Sequence, residues 1–269
     1  MSLTDKTIAF IGGGHITEIV IDNLIRTKTV PAEHLIVSDP DVKRHKLLAK
    51  NFSVKTTSDN LKAVGDGDII FINLRAQDVN EVVAEFSPVK FSEGQILVTL
   101  ASGVPMRKYR SLGEKLAIVR ALPNPPSRIG RGVIAIDFNA HVSDSQKKDI
   151  LELFDPMGVI VFLKEEYINA VTSLSSPASI LVFFESMIEA GVRMGIDKDT
   201  SAEISYQTII GVLEVWKQRR TAPDILLKEA CTPGGISVES VSTLEKYDFR
   251  TAVIEAIQNG ADKAKKLGG

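Results

Sequence analysis

The chain has 269 residues, 44% of them hydrophobic, with 32 basic against 34 acidic side chains and a formal charge of -2. That length buries a large core and suits two ordinary domains, while the balanced charge supplies no overall field for nucleic acid or an anionic membrane. A single cysteine, Cys231, excludes an internal disulfide framework and a cysteine-rich metal site. The expected partner is therefore a small molecule, with no nucleic acid and no membrane. His15, His34, His45 and His141 are scattered without ligand spacing, so no metal is expected. The opening Met1-Ser2-Leu3-Thr4-Asp5-Lys6 has no apolar signal region, and no stretch reads as a charge-free membrane span. A soluble protein of the reducing cytoplasm is expected.

Thr7-Ile8-Ala9-Phe10-Ile11 is strand-like and runs into Gly12-Gly13-Gly14, after which Ile16, Ile19, Val20 and Leu24 recur at helical spacing. A strand, a tight turn and a helix follow from this. Gly12 suits the turn and Gly14 a close approach to a pyrophosphate, which the N-terminal N–H groups of the helix would hold. The third small residue of the dinucleotide pattern is replaced by Thr17. A plain strand-to-helix turn has the same form, but its place behind the first strand of a βαβ unit favours a nucleotide. Leu35-Ile36-Val37-Ser38 is a second strand ending at Asp39. A carboxylate there accepts hydrogen bonds from an adenosine ribose and argues for NAD; Lys43 and Arg44, just beyond, argue for NADP. Asp39 equally suits the cap of a helix over residues 41–50.

A short third strand is expected over residues 53–56, then a helix through Val64 capped by Ser58 or Asp59. Residues 68–73 and 95–100 are near-continuous apolar runs, as in the middle of a parallel sheet covered on both faces. A helix over residues 77–86 separates them. Arg75 stands past the carboxyl end of the first run, where open sheets place ligands, or is a solvated helix-start charge. Ala101-Ser102-Gly103 closes the second run, leaving room for a flat ring or making a plain turn. Strands follow at 115–122, 133–136 and 159–162, the last two around a helix over 143–154. Pro123-Asn124-Pro125-Pro126 suits neither a helix nor a central strand. This doubly wound domain is expected to span 1–164, with an all-α domain over 165–269.

In that second part Pro177 opens a helix that Gly195 stops, and Asp199 or Thr200 caps the next, which ends near Arg219-Arg220. The apolar stripes, including Phe183, Leu213 and Trp216, exceed what so short a region buries, which points to a dimer. Cys231-Thr232-Pro233-Gly234-Gly235-Ile236-Ser237 breaks the helices, and the next helix starts near Ser237. This is an anion site at a helix N-terminus or an inter-helix turn.

In this order the motifs resemble the pyrroline-5-carboxylate reductases over essentially the whole chain. Phe10 to Gly14 matches the family's Phe-Ile-Gly-x-Gly turn. Arg120-Ala121-Leu122-Pro123-Asn124-Pro125-Pro126 matches Arg-x-Met-Pro-Asn-Thr-Pro, and Pro233 to Ser237 matches Pro-Gly-Gly-Thr-Thr. Phe249-Arg250 and Ala256 resemble its Phe-Arg ending. The resemblance implies a Rossmann-type domain followed by a helical dimerisation domain, and hydride transfer from reduced NAD or NADP to L-1-pyrroline-5-carboxylate in proline biosynthesis. It implies cofactor contacts at Gly12, Gly14, Asn60, Asn73, Leu74, Arg75, Ala76, Ala101, Ser102 and Gly103, to which the glycine turn and helix start add Gly13, His15 and Ile16, and the end of the second strand Asp39. Substrate contacts fall at Ser175, Ser176, Gly234, Gly235, Ile236 and Ser237, and Ser237 is the candidate catalytic hydroxyl. It also implies a homodimer or a higher homo-oligomer. The chain departs from the family at Leu74-Arg75-Ala76, at Ile236, and at Ser173-Leu174-Ser175-Ser176-Pro177-Ala178-Ser179, where a glycine-rich loop with a tyrosine is usual. Two alternatives stay open: a reductase of another imine or keto acid, and a non-catalytic nucleotide-binding relative.

Overall fold

The computed structural model describes residues 3–267. Eight strands form one sheet: β1 (Ile8–Ile11), β2 (Leu35–Ser38), β3 (Lys55–Thr57), β4 (Ile69–Ile72), β5 (Ile96–Thr99), β6 (Ala117–Pro123), β7 (Gly132–Phe138) and β8 (Gly158–Phe162). Their spatial order is β3-β2-β1-β4-β5-β6-β7-β8, parallel except for the antiparallel pair of β6 and β7. Successive side chains of a strand point to opposite faces, so each strand feeds two cores. Ile8 and Phe10 join one core with Phe71, Ile150 and Leu153; Ala9 and Ile11 join the other with Ala63, Val64 and Tyr109. Helices α1 (His15–Arg26), α2 (Val42–Phe52) and α5 (Asp144–Phe154) pack on the first of these cores, and α3 (Asn60–Asp66) and α4 (Val79–Glu85) on the second. Burial on both faces is why β1 and β4 are continuously apolar, and β5 apolar up to Thr99, rather than alternating.

Several expected boundaries move for local reasons. The third strand starts at Lys55 because Ser53, left-handed at φ 57, ends α2 by donating its N–H to the Ala49 carbonyl. The helix expected at residue 77 begins as a 3₁₀ turn, Ala76–Asp78, before α4. Pro123 is the last residue of β6, paired with Ile134, and Pro125 opens a 3₁₀ helix, Pro125–Ile129, where a missing N–H costs nothing.

The helical remainder comprises α6 (Glu165–Leu174), α7 (Pro177–Arg193), α8 (Lys198–Arg219), α9 (Pro223–Ala230), α10 (Ile236–Lys246) and α11 (Phe249–Leu267). α8 is capped by Asp197, not by Asp199 or Thr200: its carboxylate accepts the Thr200 N–H at 3.0 Å, which holds the carboxyl below its usual range. Residues 165–193 are long and apolar enough to cross a membrane by length and composition, contrary to expectation. Residues 167–184 carry no charge, and the stretch divides into α6 and α7 at Ser175 and Ser176.

Two compact units emerge. One runs through Ser175 and takes in the chain from Asn259; the other is Ser176–Gln258. α6 therefore belongs with the sheet, and the end of α11 packs on it so closely that a Cβ at Gly260 would lie 2.2 Å from Ser173 Oγ. In the second unit, α7 and α8 meet at Gly191, where a Cβ would lie 2.5 Å from Ser201 Oγ. Phe183 and Phe249 are in ring contact at 6.0 Å.

Candidate active site

In the strand order the chain turns outward in opposite directions from β1 and β4, so a crevice opens at their carboxyl ends. The glycine turn sits there. Gly12 adopts φ +98, and a Cβ on it would stand 2.3 Å from the Asn73 carbonyl oxygen. Its N–H donates to the Ser38 carbonyl at 2.8 Å, while the Asn73 N–H donates to Ile11 at 2.9 Å, fixing the turn between β2 and β4. Thr17, fully buried, replaces the missing third glycine with a bolt. Its hydroxyl donates to the Gly12 carbonyl at 2.6 Å and accepts from Asn73 Nδ2 at 2.8 Å. Thr17 thus supports the turn, a role its departure from the glycine pattern concealed.

Gly14 is the N-cap of α1 and, having no side chain, caps none of its N–H groups. A Cβ here would meet only Asn73 Nδ2, at 3.8 Å, and Gly14 and His15 are exposed. An open, uncapped helix start beside a glycine backbone fits the pyrophosphate of a dinucleotide. Asp39 lies on the rim. Its Oδ2 accepts the Gly13 N–H at 2.8 Å and its Oδ1 the Asp41 N–H at 2.9 Å. It is not the cap of α2; Asp41 is, through the Lys43 N–H. Asn60, at the start of α3, accepts from Ser38 Oγ at 2.7 Å and donates to Glu85 at 2.8 Å.

On the β4 side, Leu74 and Ala76 pack against the second core, and Arg75 is an exposed side chain paired with Asp78 at 2.8 Å. Beyond β5, Ala101 and Gly103 are buried, Gly103 at φ +81, and Ser102 Oγ lies 3.4 Å from Thr172 Oγ1 of α6.

The glycine pattern gave no hint of a buried polar cluster that ties this loop to α6. Arg120 of β6 is 2% exposed; its Nη2 donates to Asn169 at 2.5 Å and its Nη1 lies 3.6 Å from Glu165 Oε1. Its Nε has no partner. Burial lowers the Arg120 pKa, and Glu165 partly restores it. Glu165 also accepts the Met106 N–H at 2.5 Å and donates its own N–H to Asp137 at 2.7 Å. Nearby, Tyr109 shares a hydrogen bond of 2.8 Å with Thr99, and burial pushes its phenol up to about 12. Arginine at this position was visible in the Arg-x-x-Pro-Asn segment, but its partners lie on a helix 45 or more residues away.

Ser175 closes α6, its carbonyl accepting from Asn124 Nδ2 at 3.0 Å, and Ser176 caps α7. In the second unit Gly235 is the N-cap of α10 and provides no side-chain bond. Its N–H is already given to Thr232 at 2.9 Å, so the free donors narrow towards Ile236 and Ser237, both exposed. Gly234, at φ +73, makes the preceding turn. Among the described residues, no group of three or more His, Cys, Asp or Glu is placed to hold a metal.

Known proteins share both halves. Residues 165–267 match the family described as pyrroline-5-carboxylate reductase dimerisation, and residues 7–103 match NADP oxidoreductase, coenzyme F420-dependent. A pyrroline-5-carboxylate reductase of Synechocystis is 28% identical over 97% of this chain and 98% of its own. Its counterpart in Pseudomonas aeruginosa is 28% identical over 99% of this chain and 100% of its own. The crystal structure of Plasmodium falciparum pyrroline carboxylate reductase, with NADP bound, is 25% identical and superimposes with a TM-score of 0.90 over 99% of both chains. With the glycine turn at the switch point and the Pro-Gly-Gly helix start, the chain is similar from end to end to the pyrroline-5-carboxylate reductases, and residues 165–267 match that family's dimerisation domain.

Proposed function

We propose that the protein reduces L-1-pyrroline-5-carboxylate to L-proline, using NADH or NADPH, in proline biosynthesis. Gly14 carries the reading: an uncapped, exposed helix start where a Cβ would touch only Asn73 Nδ2, at the switch point of a sheet whose relatives along the full chain are reductases of that name. The reduced nicotinamide, when bound, supplies the hydride. The chain binds and orients. Gly12, Gly13, Gly14, His15 and Ile16 hold the pyrophosphate, Asp39 and Asn60 the adenosine side, and Asn73 to Ala76 with Ala101 to Gly103 the remainder. The substrate carboxylate takes the N–H groups of Ile236 and Ser237 after the Gly234 turn. The Ser237 hydroxyl donates a hydrogen bond at the ring nitrogen or orders a water there. Residues 1–164 thus serve the dinucleotide, and 165–269 the substrate and assembly.

The protein works as a cytoplasmic homodimer; the match to a dimerisation family and a lone, half-buried cysteine support this. Oxidation of NADH and NADPH, measured separately with pyrroline-5-carboxylate and with proline identified as product, tests the reading. Turnover supports it. Binding of dinucleotide without turnover overturns it. Other cyclic imines and keto acids belong in the same assay, because Ser173 to Ser179 lacks the usual glycines and tyrosine and Ile236, 90% exposed, stands at the α10 start.

A further inference from the structure

We propose that this protein takes NADH in preference to NADPH and that Asp39 makes the choice, an inference that rests on the reductase reading above. The two dinucleotides differ only at the adenosine 2′ position, a hydroxyl in one and a doubly charged phosphate in the other. A hydroxyl donates to a carboxylate; a phosphate is repelled by it. Asp39 follows β2 directly and is partly exposed beside the glycine turn. Both its oxygens are anchored, one by the Gly13 N–H at 2.8 Å and the other by the Asp41 N–H at 2.9 Å. Its carboxylate is therefore pinned at the rim and does not swing aside for a phosphate.

The cation that would offset this repulsion is engaged elsewhere. Arg44, on the first turns of α2, donates from Nε to the Gly13 carbonyl at 2.9 Å, and its Nη2 bonds the same carbonyl and Glu18. Glu18 pairs with it and also lies 3.7 Å from Arg128 through its other oxygen. The His45 ring nitrogen is bonded to the Asp39 carbonyl oxygen at 2.6 Å. Lys43 stands on an exposed turn next to Asp41, where solvent screens its charge. On the other side, Asn60 is held by Ser38 and by a further carboxylate, Glu85. The carboxylates of Asp41 and Glu85 thus flank Asp39 on either side of the rim.

Direct binding of NADH and NADPH, by titration of nucleotide fluorescence and by calorimetry, tests this without reference to turnover. The wild-type protein should bind NADH at least about tenfold more tightly than NADPH, the scale expected of a like-charge juxtaposition at a binding surface. Asp39→Asn keeps an oxygen for the Gly13 N–H and removes the charge, so it should shrink the ratio to within about threefold, chiefly by tightening NADPH. The ratio of kcat/KM should follow in both proteins. Equal or tighter binding of NADPH by the wild type overturns the preference and leaves the reductase reading intact, as does an unchanged ratio in Asp39→Asn for the role of that residue. Binding of neither dinucleotide overturns both. Selective binding of NADH without turnover of pyrroline-5-carboxylate supports the preference while the reductase reading fails.

Discussion

Gly12 and Gly14 are glycines for different reasons. At Gly12 the backbone demands it: φ is +98 and a Cβ would stand 2.3 Å from a carbonyl oxygen. Gly12→Ala should therefore cost several kcal/mol, roughly 3 or more, and read out as a large fall in Tm. At Gly14 the protein itself tolerates a Cβ, so only a ligand needs the space. Gly14→Ala should leave Tm nearly unchanged yet weaken dinucleotide affinity about tenfold or more, measured by fluorescence titration. Ser237→Ala should lower kcat about tenfold, one hydrogen bond's worth, with the fold intact by circular dichroism. Tyr109 sets an alkaline limit. Its folded pKa, about 12, lies above the unfolded value of 10.0, so its contribution is full below pH 10 and is lost as pH rises towards 12. Tyr109→Phe should remove a step near pH 12 from an ultraviolet titration.

Helix α6 was not separately foreseen, although its whole length is bonded to the carboxyl ends of the sheet. Glu165 and Asn169 meet Arg120, Thr172 meets Ser102, and Ser175 meets Asn124. These bonds position the loop beyond β5, since Glu165 also holds the Met106 N–H. Arg120→Met should cost about 2–4 kcal/mol in urea unfolding, because Glu165 and Asn169 lose their partner in a largely buried place. Arg120→Lys should recover under half of that, since one ammonium does not span both acceptors. Periodicity gave α1, α2 and α5 to within a few residues, because one of their faces lines the core. α8 began earlier than expected, because Asp197, Asp199 and Thr200 all suit a cap and only the chain's exit from Gly195 at φ +91 selects among them.

Among the described residues, no hydrophobic side chain between Ser176 and Gln258 is buried, whereas the sheet unit holds two large cores. Val182, Leu213 and Ile180 are each more than half exposed. A unit of this size without a core gains little by folding alone, so its stability has to come from association. Thermal unfolding should accordingly shift to lower Tm on about 100-fold dilution, with sedimentation showing no folded monomer. A concentration-independent Tm would count against the homodimer.

What the amino-acid sequence determined was everything written in local chemistry. Apolar runs made strands, glycines made the turn after β1, and the order of motifs carried the resemblance to the pyrroline-5-carboxylate reductases. The alternation of strands with helices made the first domain doubly wound. Tertiary structure decided the rest, because it depends on which distant groups meet. Thr17 becomes a support only once Asn73 stands beside it, 56 residues on, and Asp39 becomes a pinned carboxylate only once Gly13 reaches it. Arg44 looked like a phosphate ligand in sequence. Folding turns its charge onto Glu18 instead, and no spacing of residues along the chain records that pairing.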